Sequence, residues 1–87
     1  MPGFDEIETL FANLLATAGH VLSESEVAEI RSFIDVGEYG VALETAVDIF
    51  VEEGKTASSE VVSLIEQLAT AMSVEPVRLT TLRKSRS

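Results

Sequence analysis

The chain has 87 residues, 46% of them hydrophobic, with 15 acids against six bases for a net charge of −9. One small domain is expected at that length, and the lack of cysteine excludes disulfides, thiolate metal sites and cysteine nucleophiles. A single histidine rules out two-histidine metal or catalytic schemes, and the acid excess disfavours nucleic acid as a direct ligand and favours a basic partner.

The charge is segregated along the chain. Residues 1–77 hold every acid and only Arg31 and Lys55 as bases, whereas Arg78, Arg83, Lys84 and Arg86 follow with no acid among them. Met1-Pro2-Gly3-Phe4-Asp5-Glu6 is acidic where a signal peptide needs positive charge, and no apolar run is long enough to span a bilayer. The sequence therefore predicts a cytoplasmic protein with no membrane partner.

Apolar residues recur at helical spacing almost throughout. The first helix is expected from about Asp5 to Ala18, where Ile7, Leu10, Phe11, Leu14, Leu15 and Ala18 share a face and Gly19 supplies a stop. Asp5, Glu6 and Glu8 sit near its start, the end that the helix dipole makes favourable for acids. Ser23-Glu24-Ser25-Glu26 opens the second helix as a capping box, in which the serine oxygen accepts from one unpaired amide and Glu26 reaches back to another. Val27, Ile30, Phe33 and Ile34 follow as its buried stripe, and Gly37 ends it. The third helix runs from about Glu38 to Glu53, with Tyr39, Leu43, Ala46, Val47 and Phe50 on one side and Gly54 closing it. The fourth starts at Ser58 or Ser59, buries Val61, Ile65, Leu68 and Met72, and cannot easily pass Pro76. No alternating strand pattern or Asn-Gly hairpin signal appears. The expected fold is all-α: a small four-helix bundle with short connections, a single helical domain over residues 1–76 and a basic tail over 77–87. Leu79 and Leu82 offer one more turn for docking on the body, and the tail is otherwise expected to lie frayed on an acidic surface.

Catalytic patterns are missing. His20 follows a helix-stop glycine, where its charge favours the dipole's negative end. The serines mark helix starts, with no Gly-x-Ser-x-Gly elbow. Gly37-Glu38-Tyr39-Gly40 lacks the lysine of a phosphate loop, and Glu38 would repel phosphate. No calcium-loop pattern is present. An acyl carrier protein would match in size and acidity, but its Asp-Ser-Leu attachment site does not occur. The chain is expected to be no enzyme and to need no cofactor or metal.

The third helix breaks a local rule. With Leu43 and Phe50 inward, Glu44, Asp48 and Glu52 form an outward stripe at four-residue spacing. Like charges so spaced destabilise a helix by about 0.2–0.5 kcal/mol per pair. Glu52 and Glu53 also lie at the C-terminal end, where the dipole disfavours acids. No base lies between Arg31 and Lys55 to compensate, and Val41 falls within the acidic face. Asp35 and Glu38 extend that face across the Gly37 turn. Unrelieved violations of this kind concentrate at functional sites. An acidic rim around a small apolar anchor fits docking of a basic protein.

The run Phe33-Ile34-Asp35-Val36-Gly37-Glu38-Tyr39-Gly40-Val41-Ala42-Leu43-Glu44-Thr45-Ala46-Val47-Asp48 resembles the MafI-type immunity proteins of bacterial polymorphic toxin and contact-dependent inhibition systems. There a helix ends at an acidic-x-Gly turn, followed by an acidic residue, an aromatic and a glycine, and then Ala-Leu-Glu. Glu38-Tyr39-Gly40 and Ala42-Leu43-Glu44 occupy those places, with Val41 where the family more often has leucine. The resemblance covers about residues 5–75 and excludes the basic tail. It implies an immunity protein that binds and neutralises a cognate toxin C-terminal domain, commonly a basic nuclease. Asp35, Glu38, Tyr39, Val41, Glu44, Asp48 and Glu52 are the expected partner-binding residues. The alternative from the residues alone is a small acidic adaptor or regulator docking a basic segment of a cellular protein.

Overall fold

The computed structural model describes residues 4–76 and 78–86, with side chains described for 5–76 and 78–82. Among the described residues the chain forms five helices and no strand: α1 (Phe4–Ala18), α2 (Glu24–Asp35), α3 (Tyr39–Glu52), α4 (Ser59–Met72) and α5 (Leu79–Arg86). The small all-helical fold is the one expected, with α5 added where the sequence reads as a tail.

Local chemistry sets the boundaries. At the start of α2 the Glu26 amide donates to Ser23 Oγ at 3.1 Å and the Ser23 amide donates to Glu26 Oε1 at 2.8 Å, completing the capping box. At the start of α4, Ser58 Oγ accepts from the Val61 amide at 3.2 Å. The end of α2 is a left-handed turn at Gly37 (φ +78°), with Glu38 N–H donating back to Phe33 O at 2.8 Å. Gly54 (φ +63°) ends α3 the same way, with Lys55 N–H donating to Phe50 O at 3.0 Å.

The end of α4 departs from the sequence reading. It stops at Ser73, before Pro76 can act. Ser73 is itself left-handed (φ 56°), and Val74 N–H donates to Ala69 O at 2.9 Å. A serine there lacks glycine's freedom, so the turn is held by its hydrogen bonds and by the packing of the chain that follows.

Periodicity places the core. Phe11, Leu14, Ile30, Leu43, Val47, Phe50, Ile65 and Leu68 are fully buried, and no polar or charged side chain among the described residues is. α1 packs chiefly on α4 and α2 chiefly on α3, while α5 lies against α3 and α4. An eight-residue helix is too short to form alone in water. Leu79 and Leu82 anchor it with 0% and 1% exposure. Burying two leucines contributes about 1.5–3 kcal/mol each. Pro76, also buried, leads into it. Val77 and Ser87 of the expected tail lie outside the described residues.

Candidate docking surface

The packing of α3 fixes what it presents outward. Ala42, Leu43, Ala46, Val47 and Phe50 are buried, so the opposite side of the helix faces solvent. Glu44 is exposed there, and the Asp48 and Glu52 side chains are half exposed or more. Val41 lies on the same side at 42% exposure. Glu38, at the start of α3, is exposed too, and so is Asp35 on the other side of the Gly37 turn. Helical phase thus gathers Glu38, Val41, Glu44, Asp48 and Glu52 on the outward side of α3, whereas Asp35 lines a groove of about 220 Å³ between α1 and α2 with Glu8, Phe11, Arg31 and Ile34.

Tyr39 has a different role from its predicted neighbours. It is half-buried, its ring lies 6.3 Å from that of Phe11 at an interplanar angle of 25°, and its hydroxyl donates to Glu8 Oε2 at 2.6 Å. Accepting that bond, the Glu8 carboxylate raises the phenol's pKa above its ordinary value; burial and the charges of Glu8 and Asp5 add to the effect. Tyr39 therefore ties the first turn of α3 to α1.

Val36 is a surface residue that the sequence reading did not assign to the site. At 71% it is the most exposed large hydrophobic side chain described. The signal was available: at about 100° per residue, Val36 falls outside the stripe of Ile30, Phe33 and Ile34. Val36 and Val41 give the corner two exposed apolar side chains, with Asp35, Glu38 and Glu44 as its acids.

The residues around α3 in the sequence offer Asp48 and Glu52 no counter-ion, yet α5 brings one. Arg78 Nη1 donates to Glu52 Oε2 at 2.8 Å, and Arg78 Nε lies 4.0 Å from Asp48 Oδ1. The stripe accordingly divides. Its Asp48–Glu52 end has an intramolecular cation; Asp35, Glu38 and Glu44 have no ion pair among the described residues.

An open groove of about 370 Å³ runs between α2 and α3, lined by Glu26, Glu29, Thr45, Asp48, Ile49, Glu52 and Glu53. The Lys55 ammonium lies 3.4 Å from Glu26 Oε1 and donates to Val21 O at 2.9 Å. The Ser23 amide, above all, holds the Glu26 carboxyl below its ordinary value; Lys55 acts in the same direction and burial against it. Among the described residues no group of three or more acids or histidines is arranged to hold a metal ion, and His20 is exposed. What the surface can do chemically is bind cationic groups through solvated carboxylates and attract them over a distance set by ionic strength.

Comparisons of the chain with protein-family models, with curated proteins and with solved structures return no match.

Proposed function

We propose that this protein is a non-catalytic immunity protein, which neutralises a basic toxin domain by docking it on the acidic surface of the α2–α3 corner. The observation that carries the proposal is the composition of that corner. Val36 and Val41 are exposed there, as are Asp35, Glu38 and Glu44, and none of these acids has an ion pair among the described residues. Exposed valines supply area that gains from exclusion of water. Carboxylates around them select a cationic partner and speed its approach. A nuclease is such a partner, because the surface that grips phosphates must be positive. The resemblance of residues 33–48 to immunity proteins leads to the same corner.

The test is co-expression. A toxin domain encoded beside this chain should arrest growth alone and be tolerated when the chain is co-expressed. Association of the purified pair should slow steeply as salt rises, since steering between exposed charges is screened beyond about 8–10 Å. Growth arrest that persists with abundant soluble chain, or an association rate indifferent to salt, refutes the proposal.

A further inference from the structure

The contact between α5 and α3 joins two charges that are each misplaced on their own helix. Arg78 C=O accepts from Leu82 N–H at 3.0 Å, which sets Arg78 at the N-terminal end of α5, where the dipole disfavours a cation. Glu52 is the last residue of α3, where the dipole disfavours an anion. Each is relieved by the other across 2.8 Å. The pair is nevertheless open to water, with side-chain exposures of 41% for Arg78 and 60% for Glu52. Ion pairs this exposed are weak.

The helix that carries Arg78 does not depend on the pair for its anchorage. Leu79 and Leu82 are fully buried, so the guanidinium can leave its acids while α5 stays docked. Space for a replacement lies alongside, in the open groove that Asp48 and Glu52 line together with Glu26, Glu29 and Glu53.

We propose that Arg78 is a built-in competitor for the docking face: an arginine of the cationic partner displaces it from Asp48 and Glu52, extending the interface from the α2–α3 corner to the end of α3. This rests on the docking role proposed above and adds to it the partner's chemistry at this end, a guanidinium, and an autoinhibitory contact that must open. Weakness of the pair makes the exchange easy. A guanidinium from outside keeps the acids of α3 neutralised while the Arg78 side chain moves into solvent.

The experiment uses the full chain and a hexa-arginine peptide as probe, followed by calorimetry and by nuclear magnetic resonance of isotope-labelled protein. Binding should shift the carboxylates of Asp48 and Glu52, move the Arg78 Nε resonance toward that of a free guanidinium, and leave the Leu79 and Leu82 methyls in place. Arg78→Gln should bind the peptide about two- to five-fold more tightly than Arg31→Gln, which removes an equal charge from α2. Equal tightening in both variants overturns the inference, because net charge alone would then account for the effect. Movement of the Leu79 and Leu82 methyls also overturns it, since the whole helix would be leaving. Shifts confined to Asp35, Glu38 and Glu44 make Arg78 a permanent strut and leave the docking role standing. No shift at any of these acids removes both.

Discussion

The Arg78–Glu52 contact can be weighed by a double-mutant cycle, the perturbation being glutamine at each position singly and together. Neither single variant is informative by itself. Glu52→Gln loses the Arg78 contact but also removes a like-charge neighbour of Asp48, worth about 0.2–0.5 kcal/mol, and an acid at the wrong end of a helix, worth about 0.3–1 kcal/mol. Arg78→Gln loses the same contact and relieves α5 of a cation at its N-terminus. These helix terms cancel in the cycle, leaving the coupling between the two side chains. At 2.8 Å the geometry is that of a direct hydrogen-bonded pair, but 41% and 60% exposure place it among solvent-screened surface pairs. The expected coupling is therefore about 0.2–1 kcal/mol. Glu44 provides the control. It lies eight residues from Glu52 on the same helix, about 12 Å along the axis, and its coupling to Arg78 should be near zero at physiological salt. Urea unfolding at low and at high salt reads each corner of both cycles, and the Arg78–Glu52 coupling should shrink as salt rises. A coupling of zero at low salt, or one as large for Glu44, would refute the division of the stripe into paired and unpaired ends.

Three further outcomes follow from other contacts. The Tyr39 phenol is raised above its ordinary 10, so its stabilising contribution is complete below that pH and is lost as pH climbs through the folded value. Ultraviolet titration should show the elevated midpoint, and Glu8→Gln should bring it back toward 10. The Glu26 carboxyl is depressed below its ordinary 4.5, so the stability it contributes is present above that value and disappears as pH falls through the folded one. Glu26→Gln, which can still accept from the Ser23 amide, should lose less stability than the parent protein between neutral and acid pH, measured as the shift in urea midpoint. Leu82→Ala removes a side chain of 1% exposure that fixes α5. It should cost about 2–5 kcal/mol by denaturant unfolding, and a cost well under 1 kcal/mol would mean that α5 does not complete the core.

Much of the architecture is written in local chemistry that a single segment can express. The Ser23–Glu26 capping box, the Gly37 and Gly54 turns and the stripes of α1 and α3 depend on residues at most five apart, and they appear where the sequence places them. Features that join distant segments were hidden. Tyr39 reads as a core aromatic by its phase, and nothing nearby announces Glu8, 31 residues earlier. α5 offers only Leu79 and Leu82 as apolar contacts, too few to outweigh Thr80 and Thr81 in a local reading, so its helix shows only once α3 and α4 supply a surface. The Arg78 counter-ion lies 26 residues from Glu52; an acidic body followed by a basic end is enough to expect the tail against an acidic surface, but not to say against which acids. For the docking surface, helical phase was enough to gather Val41, Glu44, Asp48 and Glu52 on one side. It could not show that two of the three acids are shared with Arg78, nor how far Val36 projects.

The central claim is that the α2–α3 corner holds the toxin, and the most direct measurement changes that corner while leaving the core alone. Val41→Lys combined with Glu44→Lys places two cations where a cationic partner must approach, at side chains that the fold leaves exposed. Circular dichroism should show an intact helical protein, because neither position contributes to the buried set. Cells carrying the toxin domain should grow with the parent chain and fail to grow with the double variant, and the purified variant should no longer form the complex. Full protection by a folded Val41→Lys/Glu44→Lys protein would contradict the account and move the binding surface away from the corner.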